Sequence, residues 1–323
     1  MSFQTFWLIE PALDAKQLQA LLGLVPYVWL ALRCDWYQKA RSQPPPAPVM
    51  SPRWLGGYQL LALLGRGASS DVYRAVGQDG TWALKLLKST DPDLGLRLER
   101  EILLWKGLEH PGLVRLVDWG RDGGRYYLVM ELVEGVSLRS ELERRRAFSL
   151  EEAAGTLVRL IDTLQHTHRL GIIHRDLKPD NLLVTASGEL KIADFGLARG
   201  FDDPSVTRTG ETVGTPGYMA PEQITGAASL QPDPAVDRYA LGVIAYELFT
   251  GVRPHEGNAA EIMLKHLSET PVAPGELRPA LPPEISDGIL ALLDKEAPRR
   301  PTLGEFRRLL EPLVAAGSGA GCV

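Results

Sequence analysis

Two short strings, His174-Arg175-Asp176-Leu177-Lys178-Pro179-Asp180-Asn181 and Asp194-Phe195-Gly196, restrict this chain more than any other part of it. Between them run Leu182-Leu183-Val184, then Thr185-Ala186-Ser187-Gly188, then Glu189-Leu190-Lys191-Ile192-Ala193. Short apolar runs on either side of a Ser- and Gly-containing reversal predict a strand, a turn and a second strand. That hairpin returns the chain on itself and brings the Asn181 amide beside the Asp194 carboxylate. Oxygen donors of this kind suit magnesium, which leaves its other positions to water and phosphate oxygens. Asp176 and Lys178 precede the hairpin and point a carboxylate and an ammonium group into the same cleft. One can accept a hydroxyl proton and the other can neutralise a phosphoryl group in transfer.

HRDLKPDN followed by DFG resembles the catalytic and metal-binding loops of the eukaryotic-type protein kinases, in their bacterial-like serine/threonine branch. Lys178, two places after Asp176, is similar to the serine/threonine rather than the tyrosine members. The resemblance implies an α+β fold of two lobes: a small β-rich lobe with one key helix, and a larger, mainly helical lobe. It implies ATP and Mg2+, with Mn2+ as an alternative ion, and transfer of the ATP γ-phosphoryl group to protein serine or threonine hydroxyls. Asp176 would orient and deprotonate the hydroxyl, Lys178 would balance charge, and Asn181 and Asp194 would hold the metal.

Tyr58 to Leu64 reads as a strand, Gly65-Arg66-Gly67-Ala68-Ser69-Ser70 reverses it, and Asp71 to Val76 returns. Glycine lets backbone amides approach phosphate oxygens closely, although an ordinary hairpin turn explains these residues equally well. The stretch resembles the kinase glycine-rich loop, with Ser70 in place of the third glycine; Leu64, Gly65, Gly67 and Val72 are then nucleotide-binding. In Thr81 to Leu87 strand alternation puts Ala83, Lys85 and Leu87 on one face. A lysine there either snorkels to the surface or needs an anionic partner. By resemblance Ala83 lies over the adenine, Lys85 holds the α- and β-phosphates, and Glu101, placed before His110-Pro111 at the family's spacing, pairs with Lys85. Glu99 is then a solvated charge. Met130 fits the gatekeeper position, and the backbone of Glu131 to Val133 would bond the adenine edge.

Apolar residues at helical spacing, Leu157, Leu160, Ile161 and Leu164, predict a core helix leading into the catalytic loop, with His166 and His168 incidental. Leu197 to Thr215 is rich in Gly, Asp, Ser and Thr without a regular period and resembles an activation segment ending at Ala220-Pro221-Glu222. Thr207 and Thr209 are its expected phosphorylation sites, and Arg175 is the expected receiver of the phosphate. Thr215, in a segment similar to the peptide-docking strand, would hydrogen-bond with Asp176 and Lys178. Glu222 and Arg300 match the family's buried pair, and Asp237 would brace the catalytic-loop backbone. Arg238 departs from the apolar residue usual there.

The chain of 323 residues is long enough for a sizeable core, and 45% hydrophobic with 23% charged residues is ordinary globular composition. A net charge of -5, without a basic stripe, argues against nucleic acid as a partner. Cys34 and Cys322 form no CxxC pair, which favours a reducing compartment. No internal repeat is evident. The expected organisation is an N-terminal segment over 1–43 with a short apolar helix, a Pro-rich linker over 44–57, a kinase domain over 58–313 divided at 133/134, and a flexible tail over 314–323. Residues 18–32 are apolar but interrupted by Gln19 and Pro26 and short of the about 20 residues a bilayer asks for. They either pack on the lobes or insert in a membrane. The expected location is cytoplasmic; the alternative is a membrane anchor with the kinase domain kept in the cytoplasm by Arg33, Lys39 and Arg41. Protein substrates, and a dimer for trans-autophosphorylation, are the partners implied.

Two rivals follow from the same residues. A pseudokinase, an ATP-binding signalling scaffold without turnover, usually lacks the strand lysine, the catalytic aspartate or the metal aspartate, and this chain keeps all three. A small-molecule kinase on a related fold is disfavoured by the Gly214 to Tyr218 docking strand.

Overall fold

The computed structural model describes residues 53–67, 69–88, 94–145, 148–194, 216–226 and 233–319, with the side chains of 94–97, 100, 101, 318 and 319 left out. The apolar run 18–32, Phe195, Gly196, Thr207, Thr209, Thr215 and the Glu101 side chain therefore lie outside the described residues.

Six antiparallel strands build the small lobe: β1 (Arg53–Leu55), β2 (Tyr58–Arg66), β3 (Ser70–Gly77), β4 (Gly80–Leu87), β5 (Leu116–Asp122) and β6 (Arg125–Glu131), in the order β1-β2-β3-β4-β6-β5. Gly123 and Gly124, at φ 54° and 81°, close the β5–β6 hairpin in the mirror-image turn that matches strand twist. Gly56 and Gly57, at φ 54° and 88°, do the same between β1 and β2. Arg53 to Leu55 thus belongs to the sheet and not to a linker, because Leu55 is buried against Leu60, Tyr73 and Tyr127 and its strand pairs with β2. Along β4, Leu84 and Leu86 face that cluster, while Ala83 and Leu87 join the main core on the opposite face. Lys85 shares the face of Ala83 and Leu87, as strand alternation requires.

Helix α1 (Leu94–Lys106) packs beside β5 and is anchored where Trp105 Nε1 donates to the Val114 carbonyl, 3.1 Å away. The chain then passes through β7 (Gly135–Ser137) into α2 (Leu138–Arg145). Helix α3 (Leu150–Arg169) starts with a reciprocal cap in which Ser149 and Glu152 exchange side-chain and backbone hydrogen bonds of 3.1 Å each. Its buried face carries Leu157, Leu160, Ile161 and Leu164. Strands β8 (Leu182–Thr185) and β9 (Leu190–Ile192) form the hairpin expected after the catalytic loop, with β7 on its other edge.

The large lobe continues through α4 (Pro221–Ile224), α5 (Ala235–Thr250), α6 (Ala259–Ser268), α7 (Pro274–Leu277), α8 (Pro283–Leu292) and α9 (Leu303–Gly319). Helix α5 is buried almost all round and ends at Gly251, whose φ of 78° suits a left-handed cap. The expected tail from residue 314 is instead helix through Gly319. Val314 packs on the core, and a Cβ at Gly317 would lie 2.9 Å from the Glu151 Cβ. The small residues read as a frayed end are what allows α9 to lie close against the start of α3.

Candidate active site

The catalytic loop hangs from one buried carboxylate. Asp237, in the first turn of α5, accepts 2.8 Å hydrogen bonds from the backbone N–H groups of His174 and Arg175 and pairs with His168 Nε2 at 2.8 Å. Burial alone would raise its pKa, but the hydrogen bond and charge of His168, the His174 charge and the His174 N–H hold it below the usual carboxylate value. Arg175 adopts φ 64°, a left-handed conformation that non-glycine residues rarely take. Its N–H donates to Asp237 Oδ1 at 2.8 Å and its carbonyl accepts from Gln223 Nε2 at 2.8 Å, and these two bonds hold it there. His168, read from the sequence as incidental, is therefore part of the support. Its signal was a position on the helix that faces the start of α5, which a chain order cannot display.

Three functional side chains meet just beyond. Lys178 Nζ lies 2.8 Å from Asp176 Oδ2. Asn181 Nδ2 donates to the Asp176 carbonyl at 2.8 Å and to its carboxylate at 3.2 Å. The Ala193 N–H donates to the Asn181 carbonyl at 2.8 Å, so the β8–β9 hairpin delivers Asp194 next to Asn181. Asp194, at φ 57°, carries the second strained backbone of the site. Its Oδ1 accepts from Lys85 Nζ at 2.7 Å, a contact that crosses from the small lobe to the large one. Lys85 is buried and pairs across the sheet with Val72.

Ala83 sits opposite Met130 on adjacent strands, both buried. The Glu131 N–H is already engaged with the Arg115 carbonyl at 3.0 Å, and the Glu131 side chain pairs with Lys191 at 2.6 Å. Val133 packs partly buried against the core. Leu64 is exposed, Gly65 pairs with Val72 after a bulge, and the Gly67 N–H donates to the Ser70 carbonyl at 2.8 Å. Ser70 is buried, and Lys88 steadies the loop by reaching the Gly67 carbonyl at 2.6 Å and Asp71 at 3.0 Å. Glu99 is half-buried and accepts a long 3.4 Å hydrogen bond from Tyr126, so it is not a fully solvated charge.

Glu222 and Arg300 form a two-pronged pair at 2.7 and 2.8 Å, and the buried guanidinium also reaches the Ala235 carbonyl at 2.9 Å. Arg238 reaches the Ala297 carbonyl at 3.5 Å.

Among the described residues no cluster of three His, Cys, Asp or Glu side chains could cage a metal. Asn181 spends its N–H groups on Asp176, which leaves Oδ1 as a donor oxygen.

A β-rich lobe and a helical lobe meeting at Lys85 and Asp194 define the two-lobed protein kinase fold. A profile of the protein kinase domain matches residues 58–309. The serine/threonine-protein kinase PknA of Mycobacterium tuberculosis is 37% identical over 79% of this chain and 60% of its own length. The serine/threonine-protein kinase PkaB of Streptomyces coelicolor is 35% identical over 81% of this chain and 64% of its own. Among solved structures, that of Rad53 1–466 in complex with AMP-PNP aligns with a TM-score of 0.66 and 27% identity, covering 80% of this chain and 65% of that one. The chain belongs to the protein kinase domain family, alongside bacterial serine/threonine-protein kinases. It spans somewhat under two thirds of the length of those relatives.

Proposed function

We propose that this chain transfers the γ-phosphoryl group of ATP to serine or threonine hydroxyls of proteins. The observation that supports the reading is that Lys85 pairs with Asp194 while Lys178 and Asn181 both bond Asp176, with the Ala193 N–H to the Asn181 carbonyl linking the two groups. Asp176 orients the substrate hydroxyl and takes its proton, and Lys178, already beside it, offsets the charge on the transferring group. Lys85 positions the α- and β-phosphates, with Glu101 as its partner in the nucleotide-bound state. Asn181 and Asp194 hold Mg2+, which when bound neutralises phosphate charge. The Gly65–Ser70 loop covers the phosphates, and Ala83, Met130 and the Glu131–Val133 backbone receive the adenine. Since the pairs are already formed, catalysis rests on placement and fixed charge.

Phosphorylation of Thr207 or Thr209 is the proposed activating event, with Arg175 receiving the phosphate and Thr215 completing the peptide side of the site. Self-association for trans-autophosphorylation and a membrane role for residues 18–32 belong to the same proposal. No described helix is long and apolar enough to cross a membrane.

Incubation of the chain with labelled ATP, magnesium and a generic protein substrate tests the reading. Wild type should transfer label to serine and threonine, and Asp176→Asn should not. A wild type that binds ATP without transfer would establish the scaffold instead.

A further inference from the structure

One buried polar group of the large lobe has no part in the chemistry above. Helix α2 follows strand β7 directly, and its second residue, Arg139, extends under the segment Pro216–Tyr218 that leads into α4. Arg139 Nη1 donates to Glu247 Oε1 at 2.7 Å, and its Nη2 donates to the Tyr218 hydroxyl. That hydroxyl donates in turn to Glu247 Oε2, so both carboxylate oxygens are satisfied by one ring of contacts. The guanidinium also stands 5.7 Å from the centre of the Tyr218 ring and 3.7 Å from the Asp180 carboxylate in the catalytic loop. Glu247 and Tyr218 are buried, whereas Arg139 is about one quarter exposed and Asp180 about one half, so the group opens to solvent on the catalytic-loop side.

Burial works against the Arg139 charge, yet Glu247 and Tyr218 hold its pKa above the ordinary arginine value. Burial and the Glu247 charge push the Tyr218 phenol up as well. Arg139 thus stays a cation and Tyr218 a neutral phenol. A carboxylate facing a docking segment attracts basic side chains unless something neutralises it. Here the neutralising cation comes from the chain itself.

We propose that Arg139 is a positioning and specificity residue for the substrate peptide: it fixes Tyr218 at the end of the docking segment and occupies Glu247, closing that carboxylate to basic substrate side chains. The proposal rests on the phosphotransfer reading for its substrate class, and its test is chosen to stand apart from turnover.

Equilibrium binding of fluorescent peptides to the full chain, read by anisotropy, supplies that test. The probes are a short neutral serine peptide and a set in which one arginine is stepped along it. Wild type should bind all of them within about threefold, and Arg139→Met should bind the best arginine peptide at least about tenfold more tightly than the neutral one. Arg139→Met/Glu247→Gln, with both charges gone, should lose that preference. An arginine preference already present in wild type, or none gained in a folded Arg139→Met, overturns the proposal. If Arg139→Met does not fold, Arg139→Lys decides: it keeps the charge and loses the fork, so the peptide KM should rise about fivefold with the ATP KM unchanged. An unchanged peptide KM overturns the proposal. Peptide binding as expected without any phosphate transfer would sink the enzymatic reading and leave the role of Arg139 standing.

Discussion

The Lys85 ammonium lies 2.7 Å from the Asp194 carboxylate and joins strand β4 of the small lobe to the residue that follows the β8–β9 hairpin of the large one. The pair ties the two halves of the site together. Lys85→Met keeps most of the buried stem and removes the charge. Turnover should fall by about 10²–10³-fold, while unfolding free energy changes by about 1 kcal/mol, because Asp194 keeps access to water. Steady-state kinetics and urea unfolding of one preparation would check both.

His168 braces the HRDLKPDN loop from a distance, through Asp237. His168→Phe leaves Asp237 with two of its three hydrogen bonds, which should cost about 1–3 kcal/mol of stability. The loosened catalytic loop should lower kcat about tenfold with the ATP KM unchanged. His168→Gln, which retains a donor, should recover part of both losses.

Breaking the Glu222–Arg300 pair leaves a charge in a poorly solvated place. Either Glu222→Ala or Arg300→Ala should destabilise the large lobe by about 3–5 kcal/mol in chemical denaturation. The double change Glu222→Gln/Arg300→Met should cost clearly less than the sum, since the two side chains touch directly.

Two buried imidazoles set the acid side of the stability curve. Burial with the Lys295 and Lys265 charges pushes His255 down to about 4, and burial with His255, Lys295 and Arg253 pushes His266 down to about 3. Their ordinary value is 6.5, so as the pH falls the unfolded chain takes up these protons first. Stability should therefore be fully present above about pH 6.5 and decline from there to about pH 4, by up to about 1.4 kcal/mol per pH unit for each histidine. His255→Phe should make that slope shallower in urea titrations across the range.

What could be read ahead of the structure was local. HRDLKPDN, the turn at Ser187-Gly188 and the DFG aspartate lie close in sequence, and a period of two or 3.6 places their neighbours in strands and helices. Asp237 and Arg300 were legible only through likeness to a family, because neither has a local pattern that points across the lobe. His168 and Arg139 were missed for the same reason, since their partners are 69 and 108 residues away. Both ends depart from what composition suggests: the linker expected over 44–57 rests on the prolines of 44–48, and the tail expected over 314–323 on its run of small residues. In both places a small residue serves close approach or a tight hairpin.

The first strand carries a practical lesson for anyone excising this domain. A fragment cut at the bounds of the family match, 58–309, would discard Leu55 and leave one margin of β2 bare, a sticky ledge for other chains. It would also amputate the last turns of α9, including Val314. Such a piece should clump where one spanning 53–319 stays dispersed.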